Sequence, residues 1–208
     1  MRPGPGWRIL VAVTAPSRRP AALAAALAAV LALSGCTGDA GAGGVPRTPQ
    51  LVTLDGSTDG LIAAADRTPA PSLAGPTLDG GQLDVGDLRG DVVVVNFWAS
   101  WCGPCIAEAE NLISVAEQTE PEGVTFVGVN IRDERGNAQA FERGYEVPYE
   151  PIYDQPGALL TRFSRLVPQT PPTTLLLDRD GRIAARFIGG VTEAELLAPV
   201  QALAAEPA

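Results

Sequence analysis

The chain has 208 residues, 46% of them hydrophobic, enough for one globular domain of ordinary size plus accessory sequence. It has no histidine and no lysine, so its fifteen basic residues are all arginine, set against 24 acids for a net charge of −9. Imidazole metal ligands, a histidine general base and a Cys–His pair are therefore excluded, and the acidic balance argues against nucleic-acid binding, which needs basic patches.

The first 36 residues hold four arginines (Arg2, Arg8, Arg18, Arg19) and no acid. An apolar run, Ala21 to Leu33, follows them. A basic start, a 13-residue apolar stretch and small residues at its end read as an export signal over residues 1–35, too short for a membrane span. Arg18–Arg19 counts as plain leader charge, because Pro20 and Ala21 fit a twin-arginine signal poorly. The run ends in Leu33–Ser34–Gly35–Cys36, which resembles the bacterial lipobox, where the cysteine is acylated and becomes the first mature residue. An ordinary signal with a chance cysteine is the alternative. Loss of residues 1–35 removes four arginines and no acid, leaving eleven arginines against 24 acids, a net −13. Such a body does not adhere electrostatically to anionic lipid, so a covalent anchor at Cys36 would do the tethering.

Residues 36–67 read as a flexible tether, with 51–67 open between more linker and a short strand and turn on the domain edge. A compact domain is expected over 68–208. Residues 76–85 (PTLDGGQLDV) predict a hairpin turning at Gly80–Gly81. Val92 to Phe97 (VVVVNF) is a continuous β-branched run, as in a strand buried on both faces. A helix is expected after it to about Gln118, then a second buried strand over Val124–Asn130. Short helices follow at Asn137–Gly144 and Gly157–Phe163, then a hairpin of Thr173–Asp178 with Arg182–Ile188. Thr192-x-x-Glu195 is a capping box for a last helix to about Ala204. The order implies an α/β fold, a central mixed sheet flanked by helices with an N-terminal hairpin extension.

Between the first long strand and its helix lies Trp101–Cys102–Gly103–Pro104–Cys105. Cys102 falls where the helix begins, and unpaired N–H groups there favour a thiolate, so it is the expected nucleophile. Pro104 suits the first turn, and Gly103 lets a partner backbone come close. Cys105, one turn in, can attack the mixed disulfide and release the substrate. A four-residue ring would be a weak structural staple, and zinc needs four ligands where only these two cysteines remain in the domain. The pair is read as a redox dithiol that needs no metal and no cofactor beyond the Cys102–Cys105 disulfide.

The run NFWASWCGPC, with the lipobox before it and PPTTLLLDRDGRI after it, is similar to the TlpA/ResA-like branch of the thioredoxin superfamily, exported thiol-disulfide oxidoreductases tethered to the membrane. The resemblance implies a thioredoxin-like fold. It makes Pro172 the cis-proline that faces the cysteines, and it places Trp101, Gly103, Pro104, Pro171 and Pro172 on the substrate-binding surface. Pro171 has no N–H, so one backbone bond to a docked substrate strand should be missing, at a cost of about 1 kcal/mol. Asn96 stands where thioredoxin has a buried aspartate, which closes that proton route. Glu108 matches a glutamate that approaches the active site in ResA-like proteins, three residues after Cys105 and on its helix face; completing the helix dipole is its alternative role. Glu110 replaces a helix-kinking proline, so a straighter helix and a solvent-facing side chain are expected there.

The implied activity is reduction of protein disulfides at the extracytoplasmic face of the bacterial cell membrane. The implied partners are a membrane thiol carrier of the CcdA/DsbD kind and an oxidised protein such as apocytochrome c. A thiol peroxidase and a non-catalytic surface lipoprotein are the competing readings.

Overall fold

The computed structural model describes residues 50, 51 and 60–207. The expected export signal, the expected acylation site Cys36, and residues 36–49 and 52–59 of the expected tether lie outside the described residues. In chain order the first strands are β1 (Gln50–Leu51), β2 (Thr68–Pro69), β3 (Ala74–Pro76), β4 (Gln82–Asp84) and β5 (Val92–Trp98). Helix α1 (Gly103–Thr119), β6 (Val124–Ile131), α2 (Arg135–Tyr145), β7 (Pro151–Asp154) and α3 (Ala158–Arg162) follow. The chain closes with β8 (Thr173–Leu177), β9 (Arg182–Ile188) and α4 (Glu193–Ala204).

The main sheet runs β1-β9-β8-β5-β6-β7, with β2 also on β9. Strand β5 is its centre, parallel to β6 on one side and antiparallel to β8 on the other. All seven residues of β5 are buried. The reason is the two-residue period of a strand, which sends alternate valines to opposite faces. Val93, Val95 and Phe97 pack with Val129, Leu160, Phe163 and Leu175 on one side. Val92 and Val94 pack with Leu112, Val115, Leu196 and Val200 of α1 and α4 on the other. Each such side chain stabilises the fold by roughly 1.5–3 kcal/mol, so a one-sided strand pattern would forfeit half the core. The mixed sheet between helices is the thioredoxin-like architecture expected from the sequence.

The hairpin β3–β4 forms a two-stranded sheet of its own, with Pro76 opposite Gln82 and Gly80 at φ +92° in the turn. The capping box opens α4: Glu195 Oε2 accepts from the Thr192 backbone N–H at 3.0 Å and from its hydroxyl at 2.6 Å. Strand β7 went unread in the sequence. It has four residues and begins at a proline, which can only start or edge a strand, and Tyr153 and Asp154 carry no apolar alternation.

Described residues ahead of Thr68 pack on the edge of the sheet. Gln50 and Leu51 pair with Ile188 and Phe187, and Ile62 N–H donates to Ala184 O at 2.8 Å. Arg67 is buried; its guanidinium donates twice to Glu206 at 2.6 Å and once to Asp178 at 3.3 Å. An arginine among small polar residues looks like linker, and only its distant partners make it part of the domain.

Candidate active site

Strand β5 delivers the chain at Trp98 to a tight turn, closed by Cys102 N–H donating to Ala99 O at 3.1 Å. Cys102 is then the N-cap of α1, with Pro104 in the first turn where a missing N–H costs nothing. Its sulfur accepts the Cys105 N–H at 3.3 Å, and the two cysteines are joined by a disulfide. Cys102 is 4% exposed and Cys105 2%, so the two differ little in accessibility in the oxidised form. The difference lies in what each faces: Cys102 sits among exposed Trp101, Gly103 and Pro104, while Cys105 lines a small cavity with half-buried residues on its outer wall.

Two ties hold this turn. Asp133, buried just past the end of β6, accepts from Ser100 N–H (2.6 Å), the Ser100 hydroxyl (2.9 Å), Asn130 Nδ2 (3.0 Å) and Glu134 N–H (2.9 Å). Trp101 is 58% exposed, yet its indole N–H donates to Arg132 O at 2.9 Å, which fixes it as a platform. Arg132 sits at φ +50° and donates from its own guanidinium to Gln169 O at 2.7 Å. One residue thus links the turn to the loop that precedes Pro171.

Behind the cysteines, Asn96 and Glu108 meet. Glu108 is 2% exposed; its Oε1 accepts from Asn96 Nδ2 at 3.0 Å and its Oε2 from Val191 N–H at 2.9 Å. Asn96 also donates to Thr174 Oγ1 at 3.0 Å. Burial pushes the Glu108 carboxyl up to about 7, against the lowering effect of the Val191 and Asn96 bonds. A dipole-completing, solvated role is therefore not what this side chain has. Gly190 passes close here: a Cβ on it would lie 3.3 Å from Pro104 O and 3.6 Å from Glu108 Oε2. Glu110 is exposed and α1 runs unbroken through it.

The cavity beside Cys105 has a volume of about 20 Å³ and is lined by Asn96, Trp98, Ala109, Phe141, Glu142 and Tyr149 among others. Trp98 can close it only because β6 has a glycine beside its indole: a Cβ on Gly128 would lie 2.9 Å from Trp98 Nε1. The Glu142 carboxyl is also pushed up to about 7, first by burial and then by Asp79 and Glu150. Burial, Glu108 and Glu142 raise the Tyr149 hydroxyl above the usual tyrosine range.

The Pro171–Pro172 peptide is cis. Thr173 pairs with Phe97, and Gly189 N–H donates to Pro172 O at 3.1 Å. This register sets Pro171 and Pro172 at the end of the sheet where β5 hands over to the CGPC turn. Asp133, Arg132, Glu142 and Tyr149 were not found from sequence. For the first two the only signal was their place just after a buried parallel strand, where sites of such sheets collect.

Residues 67–186, more than half of the chain, match the AhpC/TSA family. The chain belongs to that family. This AhpC/TSA-family protein is 26% identical over 135 residues to the thiol-disulfide oxidoreductase ResA of Bacillus subtilis, covering 64% of this chain and 73% of ResA. It is 37% identical over 108 residues to the thiol:disulfide interchange protein HelX of Rhodobacter capsulatus, covering 51% of this chain and 58% of HelX. A secreted thiol-disulfide isomerase from Corynebacterium glutamicum superposes with a TM-score of 0.68 at 32% identity, over 76% of this chain and 98% of that one. With its disulfide-bonded CGPC turn on a thioredoxin-like fold, this family member is a thiol-disulfide oxidoreductase.

Proposed function

We propose that this oxidoreductase is a dithiol reductant of protein disulfides outside the cytoplasm, held at the membrane by a lipid on Cys36. The observation that carries the direction of attack is the placement of Cys102 at the N-cap of a 17-residue helix. The helix dipole and the Cys105 N–H both stabilise a thiolate at that sulfur. In the reduced protein, Cys102 attacks a substrate disulfide and one substrate thiolate leaves. Cys105 then attacks Cys102, the protein disulfide closes, and the second substrate thiolate departs. Trp101, Gly103, Pro104, Pro171 and Pro172 form the surface over which a substrate strand lies. The chemistry asks for no metal and no cofactor beyond the disulfide.

A CGPC pair tends toward reducing potentials, about −270 mV in thioredoxin, and an oxidising compartment needs a dedicated electron source to keep it reduced. The reading therefore includes a membrane thiol carrier of the CcdA/DsbD kind as donor. The oxidised haem-binding cysteines of an apocytochrome c are the substrate that the family resemblance favours.

An insulin-reduction assay tests the activity: wild type should accelerate precipitation and Cys102→Ser should abolish the acceleration. Activity independent of Cys102, or rapid turnover of peroxide instead, overturns the reading. Cys105→Ser expressed in the host should trap one dominant partner by mixed disulfide, and a diffuse background argues against a dedicated substrate. Cys36→Ser should release the protein from membranes; retention of that variant overturns the lipid anchor.

A further inference from the structure

Closing the protein disulfide requires Cys105 to lose a proton, and its surroundings make that difficult. The residue is 2% exposed, so a thiolate there is poorly solvated. Asn96 cannot accept a proton. Glu108 lies on the same helix, but each of its oxygens already accepts a hydrogen bond, one from Asn96 and one from Val191, and it does not line the cavity that Cys105 faces. That cavity leads elsewhere.

We propose that Glu142 accepts the Cys105 proton across this cavity, through a single bridging water steadied by the Tyr149 hydroxyl. The inference rests on the dithiol reading of the site. A volume of about 20 Å³ is room for one water, and Cys105, Glu142 and Tyr149 on its walls supply polar partners. Glu142 and Tyr149 also line the open surface groove on the far side, together with Asp79, Gln139 and Glu150. They are therefore the wall between the buried thiol and solvent, and a proton received there can leave.

The electrostatics suit an acceptor. Asp79 of the β3–β4 turn and Tyr149 and Glu150 of the segment before β7 line this groove with Glu142, as do Arg143 of α2 and Glu146 just past its end. Cys105 faces it across the cavity, with Glu108 beyond Tyr149. Burial first, and then the negative charges of Asp79 and Glu150, lift the Glu142 carboxyl to about 7, near the working range of a proton acceptor. In the step itself the proton passes from Cys105 to the Glu142 carboxylate. The Cys105 thiolate forms a bond to Cys102 Sγ, the Cys102–substrate bond breaks, and the substrate sulfur leaves with the electron pair.

The test separates the two thiol steps with Ellman's reagent. Cys102 forms a mixed disulfide with one thionitrobenzoate, and Cys105 expels the second, coloured, one. For wild type the second step should follow an inflection near that of Glu142, measured from roughly pH 5 to 9. Glu142→Gln should slow that step about tenfold at neutral pH and move its inflection up toward the free-thiol range, leaving the first step unchanged. Among the described residues the Glu142 side chain makes no hydrogen bond or ion pair, so this variant should fold, and a thermal melt checks that. Tyr149→Phe should give a smaller slowing. An unchanged profile in Glu142→Gln, or equal slowing of both steps, overturns the inference while wild-type activity leaves the dithiol reading intact. A wild type that fails to reduce insulin overturns that reading instead.

Discussion

Asn96 donates to the Glu108 carboxylate over 3.0 Å, joining the central strand to the helix of the cysteines at a point fully shielded from water. Val191 completes the carboxylate from the loop before α4 at 2.9 Å. An acid here is thus also a structural acceptor for two donors. Glu108→Gln keeps one acceptor oxygen and sets an amide N–H against the other donor, so it should cost roughly 1–3 kcal/mol. Glu108→Ala strands both donors and should cost more. Urea unfolding of the disulfide-bonded protein measures this, and a wild-type midpoint in both variants would show the bonds to be worth little.

Stability should fall as pH rises from weakly acid to weakly basic. Glu108 and Glu142 are both raised from 4.5 to about 7 in the folded protein, so folding favours their protonated forms. That contribution is complete below the unfolded value of 4.5 and is lost as pH climbs through about 7. For Glu108 it amounts to at most about 3 kcal/mol. Urea midpoints at pH 5 and 8 check the slope, which Glu142→Gln should flatten. A midpoint that rises across this window would contradict the assignment.

Asp133→Asn is a change of one atom with a large expected effect. The carboxylate accepts four hydrogen bonds, and an amide nitrogen in place of either oxygen meets donors. A loss of roughly 1.5–3 kcal/mol is expected, with slower insulin reduction because the Ser100 end of the CGPC turn is freed. Normal activity in a destabilised variant would confine Asp133 to stability alone.

Gly128→Ala tests the packing that shapes the cavity. The added methyl would lie 2.9 Å from Trp98 Nε1 and 3.1 Å from Pro151 Cβ, so strand or ring must shift. The expected cost is about 1–3 kcal/mol. Tryptophan fluorescence should change with it, and an unaltered spectrum and midpoint would mean the ring moves freely.

The elements that sequence resolves best here are those whose pattern is local. VVVVNF predicts a strand buried on both faces because periodicity alone decides it, and the Thr192–Glu195 box and the Gly80 turn carry their geometry within a few residues. Cys102 and Cys105 are legible because ligand counting leaves them one chemistry. Arg67 is opaque for the opposite reason: its acidic partners lie 111 and 139 residues away. Glu142 and Tyr149 sit in a helix and a loop of ordinary polarity, and only the packing of α2 beside β5, with Phe141 against Trp98, brings them to the cavity that Cys105 lines. No spacing rule connects residues assembled from three elements.

Strand β1 has a consequence for how far the enzyme can reach. Gln50 pairs with Ile188, which pairs in turn with Thr173, so the leading segment joins the sheet at the end that carries the redox pair. A lipid on Cys36 would leave fourteen residues to Gln50, about 50 Å when fully extended. The dithiol would then sample a thin shell above the bilayer, and a donor in the same membrane would meet it at a high effective concentration without strong mutual affinity. Lengthening that leash should dilute the encounter and slow re-reduction, with the chemistry of the cysteines untouched.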